Sequence, residues 1–181
     1  RRPMLRQEGG DQRSLCDFIV LEQSEEKSPL GMFTVCVKAR NASHEEGCCC
    51  PACSNRYEDL VGRTVRMTMA EAASTWLDRE IPGKCCKDSK VIKPAAGYAS
   101  CPDHTLKKDI FEMLPEGHRL EIKLTESYAM SPDASICGMI FIHPNAEYPD
   151  IRRISAKQYE EYIKRRGMDE EQAKRFLGHL I

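Results

Sequence analysis

The chain has 181 residues, 41% apolar and 30% charged, with a net charge of −1 at neutral pH. That size supports one good core, so a single unit over 1–181 is expected. So small a net charge gathers neither nucleic acid nor anionic membrane, and no apolar run approaches the length that spans a bilayer. A soluble, cytoplasmic protein without nucleic-acid or membrane partners is the expectation.

Residues 1–14 are charged, contain glycine and lack periodicity, and read as an entry arm. Residues 17–22 and 31–38 are β-branched and aromatic runs separated by a polar stretch, which predicts two strands joined by a hairpin-like loop. A cysteine-rich loop over 41–56 follows. From Tyr57, apolar residues at 57, 60, 61, 65, 69, 72, 73, 76 and 77 mark the longest helix, ending before Pro82-Gly83. Its Met, Ala and Trp76 face is expected to be core.

Residues 84–91 read as a polar connector and 84–103 as a Pro/Gly ligand loop. Asp103 is placed to cap a helix over 104–114, and 119–124 alternates like a strand. The run at 136–142 predicts a buried strand, with a partner around 147–154 after the turn at 143–146. Ser155 with Gln158 has the capping-box pattern of a helix that Gly167 closes, and Asp169 with Gln172 repeats it for a final helix. Local strand pairs and helices in blocks predict an α+β fold with a mainly antiparallel, twisted sheet and flanking helices.

The ten cysteines are expected to be reduced thiols. No signal peptide is expected ahead of them, Cys36 and Cys137 sit in strand-like runs, and the adjacent cysteines at 48–50 and 85–86 are awkward to bridge. Cys50 and Cys53 form a CxxC, with Cys48, Cys49, Cys85 and Cys86 as possible partners in a tetrathiolate site. Such sites usually show two CxxC knuckles, so zinc is not expected and an unliganded loop is the alternative. Cys101 and His104 at a helix start could form a thiolate nucleophile. A small buried Cys beside a His is the preferred alternative. The 164–166 run reads as a solvated helix end complementing the dipole. No GxGxxG, Walker loop or HExxH is present, which leaves dinucleotide, nucleotide-phosphate and zinc-protease sites without support.

Residues 93–105 read Lys-Pro-Ala-Ala-Gly-Tyr-Ala-Ser-Cys-Pro-Asp-His-Thr: a cation and a Gly-Tyr turn running into a helix start. That arrangement presents backbone amides and one charge to a small anionic or zwitterionic ligand. Lys93, Tyr98, Glu71, Glu126 and Tyr148 could together form a polar cleft, with a cation for a carboxylate, a carboxylate for an ammonium and Tyr rings for a flat face. Taken singly, each reads as surface solvation.

The 93–105 segment resembles the Arg-Pro-Ala-Pro-Gly-Tyr-Pro-Ala-Cys-Pro-Glu/Asp-His-Thr motif of the C-terminal activation domain of cobalamin-dependent methionine synthase. Residues 124–138 are similar to its Leu-Thr-Glu-Ser-x-Ala-Met segment, 143–148 to its His-Pro-x-x-x-Tyr turn, and 162–168 to its Tyr-Ala-Arg-Arg-Lys-Gly-Met helix junction. The resemblance implies an α+β domain that binds S-adenosylmethionine and docks on a cobalamin domain. There, with an electron from flavodoxin or a similar reductase, it supports reductive remethylation of cob(II)alamin. As a member of that family the chain would be the activation domain of a methyltransferase, not the catalytic domain itself, either as a fragment of a larger enzyme or as a divergent stand-alone relative. It also implies a ligand site of Lys93, Ala95, Gly97, Tyr98, Tyr148 and Glu71. Lys93 stands where the family has Arg, keeping the charge but losing the bidentate fork. The alternative is a non-catalytic interaction or thiol/metal-binding module on the same scaffold.

Overall fold

The computed structural model describes residues 3–19, 29–38, 56–85, 89–114 and 120–181. The apolar run at 136–142 becomes the middle of the fold. Strand β5 (Ser135–His143) lies between β1 (Leu30–Cys36) and β2 (Lys90–Ile92), antiparallel to both. A central strand buries both faces, and alternation divides its side chains between them. Cys137, Met139 and Phe141 enter the main core with Ile92, Leu106, Ile110 and Phe111, while Ile140 and Ile142 join Phe33 on the other face. Helix α1 (Arg56–Cys85) covers that second face through Leu77 and Ile81, and α2 (Leu106–Met113) closes the first.

Gly138 sits opposite Phe33 in the sheet. A β-carbon there would lie 2.8 Å from Phe33 Cε1 and 3.0 Å from the Pro94 carbonyl. Only glycine lets the ring and the loop backbone both press on the strand, and the Met139 N–H donates to that carbonyl at 3.1 Å. The 93–105 loop is thereby seated on β5. A two-stranded ribbon of β3 (Lys123–Leu124) and β4 (Met130–Ser131) stands beside this core. Helices α3 (Ala156–Arg166) and α4 (Glu170–Leu177) build a second core, in which Tyr162, Phe176 and Leu177 pack with Leu5, Ile151, Ile154 and Leu180.

The class is therefore α+β with an antiparallel sheet. The caps of α3 and α4 are those the sequence predicts. Ser155 Oγ accepts from the Gln158 N–H at 3.2 Å, Gly167 closes α3 at φ 65°, and Asp169 accepts from the Gln172 N–H at 2.7 Å. The reciprocal half of the Ser155 capping box is missing because the Gln158 amide is engaged elsewhere. Its Oε1 accepts from the Arg6 N–H at 2.6 Å and its Nε2 donates to the Arg6 carbonyl at 3.0 Å, as a paired strand would.

Several expectations fail for identifiable reasons. Residues 15–18 form a 3-10 turn, not the start of a strand over 17–22, because Ser14 and Asp17 make a reciprocal capping box; residues 20–22 lie outside the described set. The entry arm is folded: Leu5 is buried and Arg6 bridges to Ser14. The connector ends in β2. Of the strand expected over 119–124, residue 119 lies outside the described set and the rest shortens to β3, with Glu121 at φ 54°. The 147–154 segment pairs with no strand, yet it is anchored, with the Ile151 N–H donating to Ala99 O at 2.9 Å and that of Ile154 to Leu180 O at 2.8 Å.

Helix α1 departs most. It runs through Pro82, which removes one backbone donor from the helix, and ends three residues later. The Met and Trp76 face expected to be core is open, with Trp76 56% and Met69 55% exposed, while Leu77 of the expected stripe packs with Ile81 on the Phe33 face and Ala70 and Ser74 are buried. Arg166 reverses the solvated reading of the 164–166 run, being nearly buried. No helix among the described residues is long and apolar enough to cross a membrane.

Candidate functional site

The 93–105 loop is tied across by its own hydrogen bonds. Gly97 takes φ 97°, which a side chain would make costly. Its N–H donates to Cys101 O and the Cys101 N–H donates to Tyr98 O, both at 2.8 Å. Ala96 and Cys101 are buried as anchors. Between this loop, α1, β5 and the 148–150 segment lies a cleft of about 540 Å3. Its wall includes Glu71, Lys93, Ala95, Tyr98 and Tyr148, five of the six residues singled out in the sequence. Gly97, the sixth, lies outside the wall and shapes the turn. Glu126 is also outside it.

The two tyrosine rings are well exposed, and Tyr148 is fixed at its tip, where Oη accepts from the Lys93 N–H at 2.8 Å. Lys93 itself is buried along its side chain. Its Nζ donates to the Ser74 carbonyl, lies 3.2 Å from Ser74 Oγ and 3.0 Å from Asp78 Oδ1, and stands 5.6 Å from the centre of the Phe33 ring. The cleft also holds groups not singled out as ligand contacts, among them Ser100, Lys107 and Cys137. Lys107 donates to Tyr128 O at 2.9 Å, and burial pulls its pKa below the ordinary lysine range. A lysine on the first turn of a helix carries no mark in sequence that separates it from a solvated one.

The loop is braced from beneath. Asp103, expected to cap α2 by its side chain, accepts from the Thr105 N–H at 2.8 Å through Oδ1 and from the Tyr162 hydroxyl at 2.8 Å through Oδ2. Thr105 stands at the N-cap and makes no side-chain cap bond, because its hydroxyl accepts from Arg166 Nη2 at 2.8 Å. Arg166 also pairs with Asp109 and lies 3.4 Å from Asp103 Oδ2. Two helices are thus locked to the loop through one guanidinium.

The two buried thiols beside the loop are held protonated. Burial pushes the Cys101 thiol up to about 12 and that of Cys137 to about 11. Burial, then neighbouring Lys107, lower the His104 pKa and favour its neutral ring. Cys16, Cys36, Cys101 and Cys137 are free thiols. Among the described residues, no cluster of three or more His, Cys, Asp or Glu could hold a metal. Cys48, Cys49, Cys50, Cys53 and Cys86 lie outside those residues, and Cys85 ends α1.

An α+β domain with a polar cleft beside a Gly-Tyr turn has the build of a small-molecule binding domain. The vitamin B12 dependent methionine synthase activation domain family matches residues 1–167, and the chain belongs to that family. A solved structure described as the MetH reactivation domain bound to AdoHcy is similar at 42% identity. That match covers 50% of this chain and 28% of the other, with a TM-score of 0.47.

Proposed function

We propose that the cleft binds S-adenosylmethionine and that the domain presents its methyl group to cobalamin held on a separate domain. The corrinoid is there reductively remethylated with an electron from flavodoxin or a similar reductase. The cytoplasm is the expected setting. The cofactor supplies the chemistry, and this chain binds and orients the methyl donor. Tyr98 and Tyr148 offer faces for the adenine, Glu71 an anion for the ammonium, and Lys93, Ala95 and Gly97 shape the loop side.

One observation carries this proposal: Glu71, Lys93, Tyr98 and Tyr148, from three separate stretches of chain, line a single cleft. Its volume of about 540 Å3 falls within the roughly 300–1,000 Å3 usual for small-molecule sites. Titration calorimetry with S-adenosylmethionine provides the test. Heat of binding that Tyr98→Ala and Tyr148→Ala both reduce is expected, whereas no heat at millimolar ligand sinks the proposal.

A further inference from the structure

We propose that Lys107 is the cation that receives the ligand's carboxylate, and that Lys93, at the position the resemblance assigns to that role, is a strut between β2 and α1. The ligand's identity rests on the function proposed above; the choice between the two lysines rests on their surroundings.

An ammonium has three N–H donors. Those of Lys93 meet the Ser74 carbonyl, Ser74 Oγ at 3.2 Å and Asp78 Oδ1 at 3.0 Å. Its charge is compensated by Asp78, and its side chain is 8% exposed. To take a ligand carboxylate it would have to leave α1. Lys107 is placed differently. It donates to Tyr128 O at 2.9 Å and lies 3.4 Å from His104 Nδ1, which leaves one N–H to give. Among the described residues it has no ion pair, and it lines the same cleft.

The surroundings hold that ammonium in place. The Phe176 ring of α4 packs edge-on to the Tyr128 ring at 5.3 Å and lies 6.0 Å from the His104 ring, so it touches the side chains of both residues that accept from Lys107. Partial burial leaves the ammonium under-solvated, which an arriving anion relieves. Asp150, also in the wall, is tied to Arg152 at 2.6 Å. Among the described residues, the uncompensated charges of the wall are therefore Glu71 and Lys107. One of each sign matches the ammonium and carboxylate of an amino-acid end.

Calorimetry on the full chain tests this with two ligands, S-adenosylhomocysteine and 5′-methylthioadenosine, which keeps the nucleoside and thioether but lacks the amino-acid end. Lys107→Met should weaken the first by about tenfold or more, the scale of a charged hydrogen bond, and leave the second unchanged. Lys107→Arg should restore most of the difference. Lys93→Met should lower the melting temperature and shift both ligands by the same factor. An unchanged ratio between the ligands in both Lys107→Met and Lys107→Gln, with each variant folded by circular dichroism, overturns the assignment. So does a ratio that collapses in Lys93→Met. If the unaltered chain binds neither ligand, the S-adenosylmethionine function fails and this assignment with it; the other outcomes reject Lys107 alone.

Discussion

Gly97 and His104 approach so closely that a β-carbon on Gly97 would lie 2.4 Å from His104 Cε1. The turn's positive φ and the neighbouring ring both demand glycine. Gly97→Ala is expected to cost about 1–3 kcal/mol from backbone strain, with more from displacing the ring. Urea denaturation measures it. Stability within about 0.5 kcal/mol of the parent, the scale of a surface substitution, would show that the turn relaxes freely.

Arg166 is a nearly buried cation serving two buried carboxylates. Arg166→Met leaves Asp103 and Asp109 without it, and a loss of about 3–5 kcal/mol is expected, as for breaking a buried pair. Adding Asp109→Asn should recover part of that loss. Strictly additive losses in a double-mutant cycle would exclude coupling between the two side chains.

His104 makes stability depend on pH in a definite direction. Burial, then Lys107, hold its folded pKa below the ordinary 6.5, so the unfolded chain takes up the proton first. Its contribution is whole above 6.5 and is lost as pH falls from there through the folded value. The Asp17 carboxylate, lowered mainly by its hydrogen bond from Arg6, adds a separate loss in the acid range. Melting temperatures from about pH 7 to 5, where histidine titrates, should fall more steeply in the parent than in His104→Gln. Parallel curves would remove His104 as the cause.

Trp76 and Met69 are more than half exposed. Trp76→Gln and Met69→Gln should each change stability by less than about 0.5 kcal/mol. A loss above about 3 kcal/mol, typical of a truncated core aromatic, would mean that this face is covered in solution.

The contrast between α1 and β5 shows which features could be read from the residues alone. The β5 run and the caps at Ser155, Gly167 and Asp169 depend on neighbours close in sequence, and they emerge as expected. The apolar stripe of α1 was misjudged because covering it needs a partner surface of matching length. A helix of 30 residues spans about 45 Å at about 1.5 Å per residue, whereas a nine-residue strand at about 3.3 Å per residue reaches about 30 Å. Ala70 and Ser74 are buried and Leu77 and Ile81 pack on the Phe33 face, whereas Met69 and Trp76 are left outside. At the candidate site, the Gly-Tyr turn marks the loop in sequence. The partners of Lys93 and Lys107 are set by distant segments, Ser74 and Asp78 for one and Tyr128 for the other, so the sequence shows two cations without showing which is spent.

The grip of Gln158 on Arg6 joins residues 152 positions apart, and Leu5 shares its core with Leu177 and Leu180. Contacts so distant in sequence carry a high loop-closure entropy. During synthesis the ligand loop therefore leaves the ribosome well before α3 and α4 exist to brace it. The bonds that Tyr162 makes to Asp103 and Arg166 to Thr105 and Asp109 form only once α3 has been made.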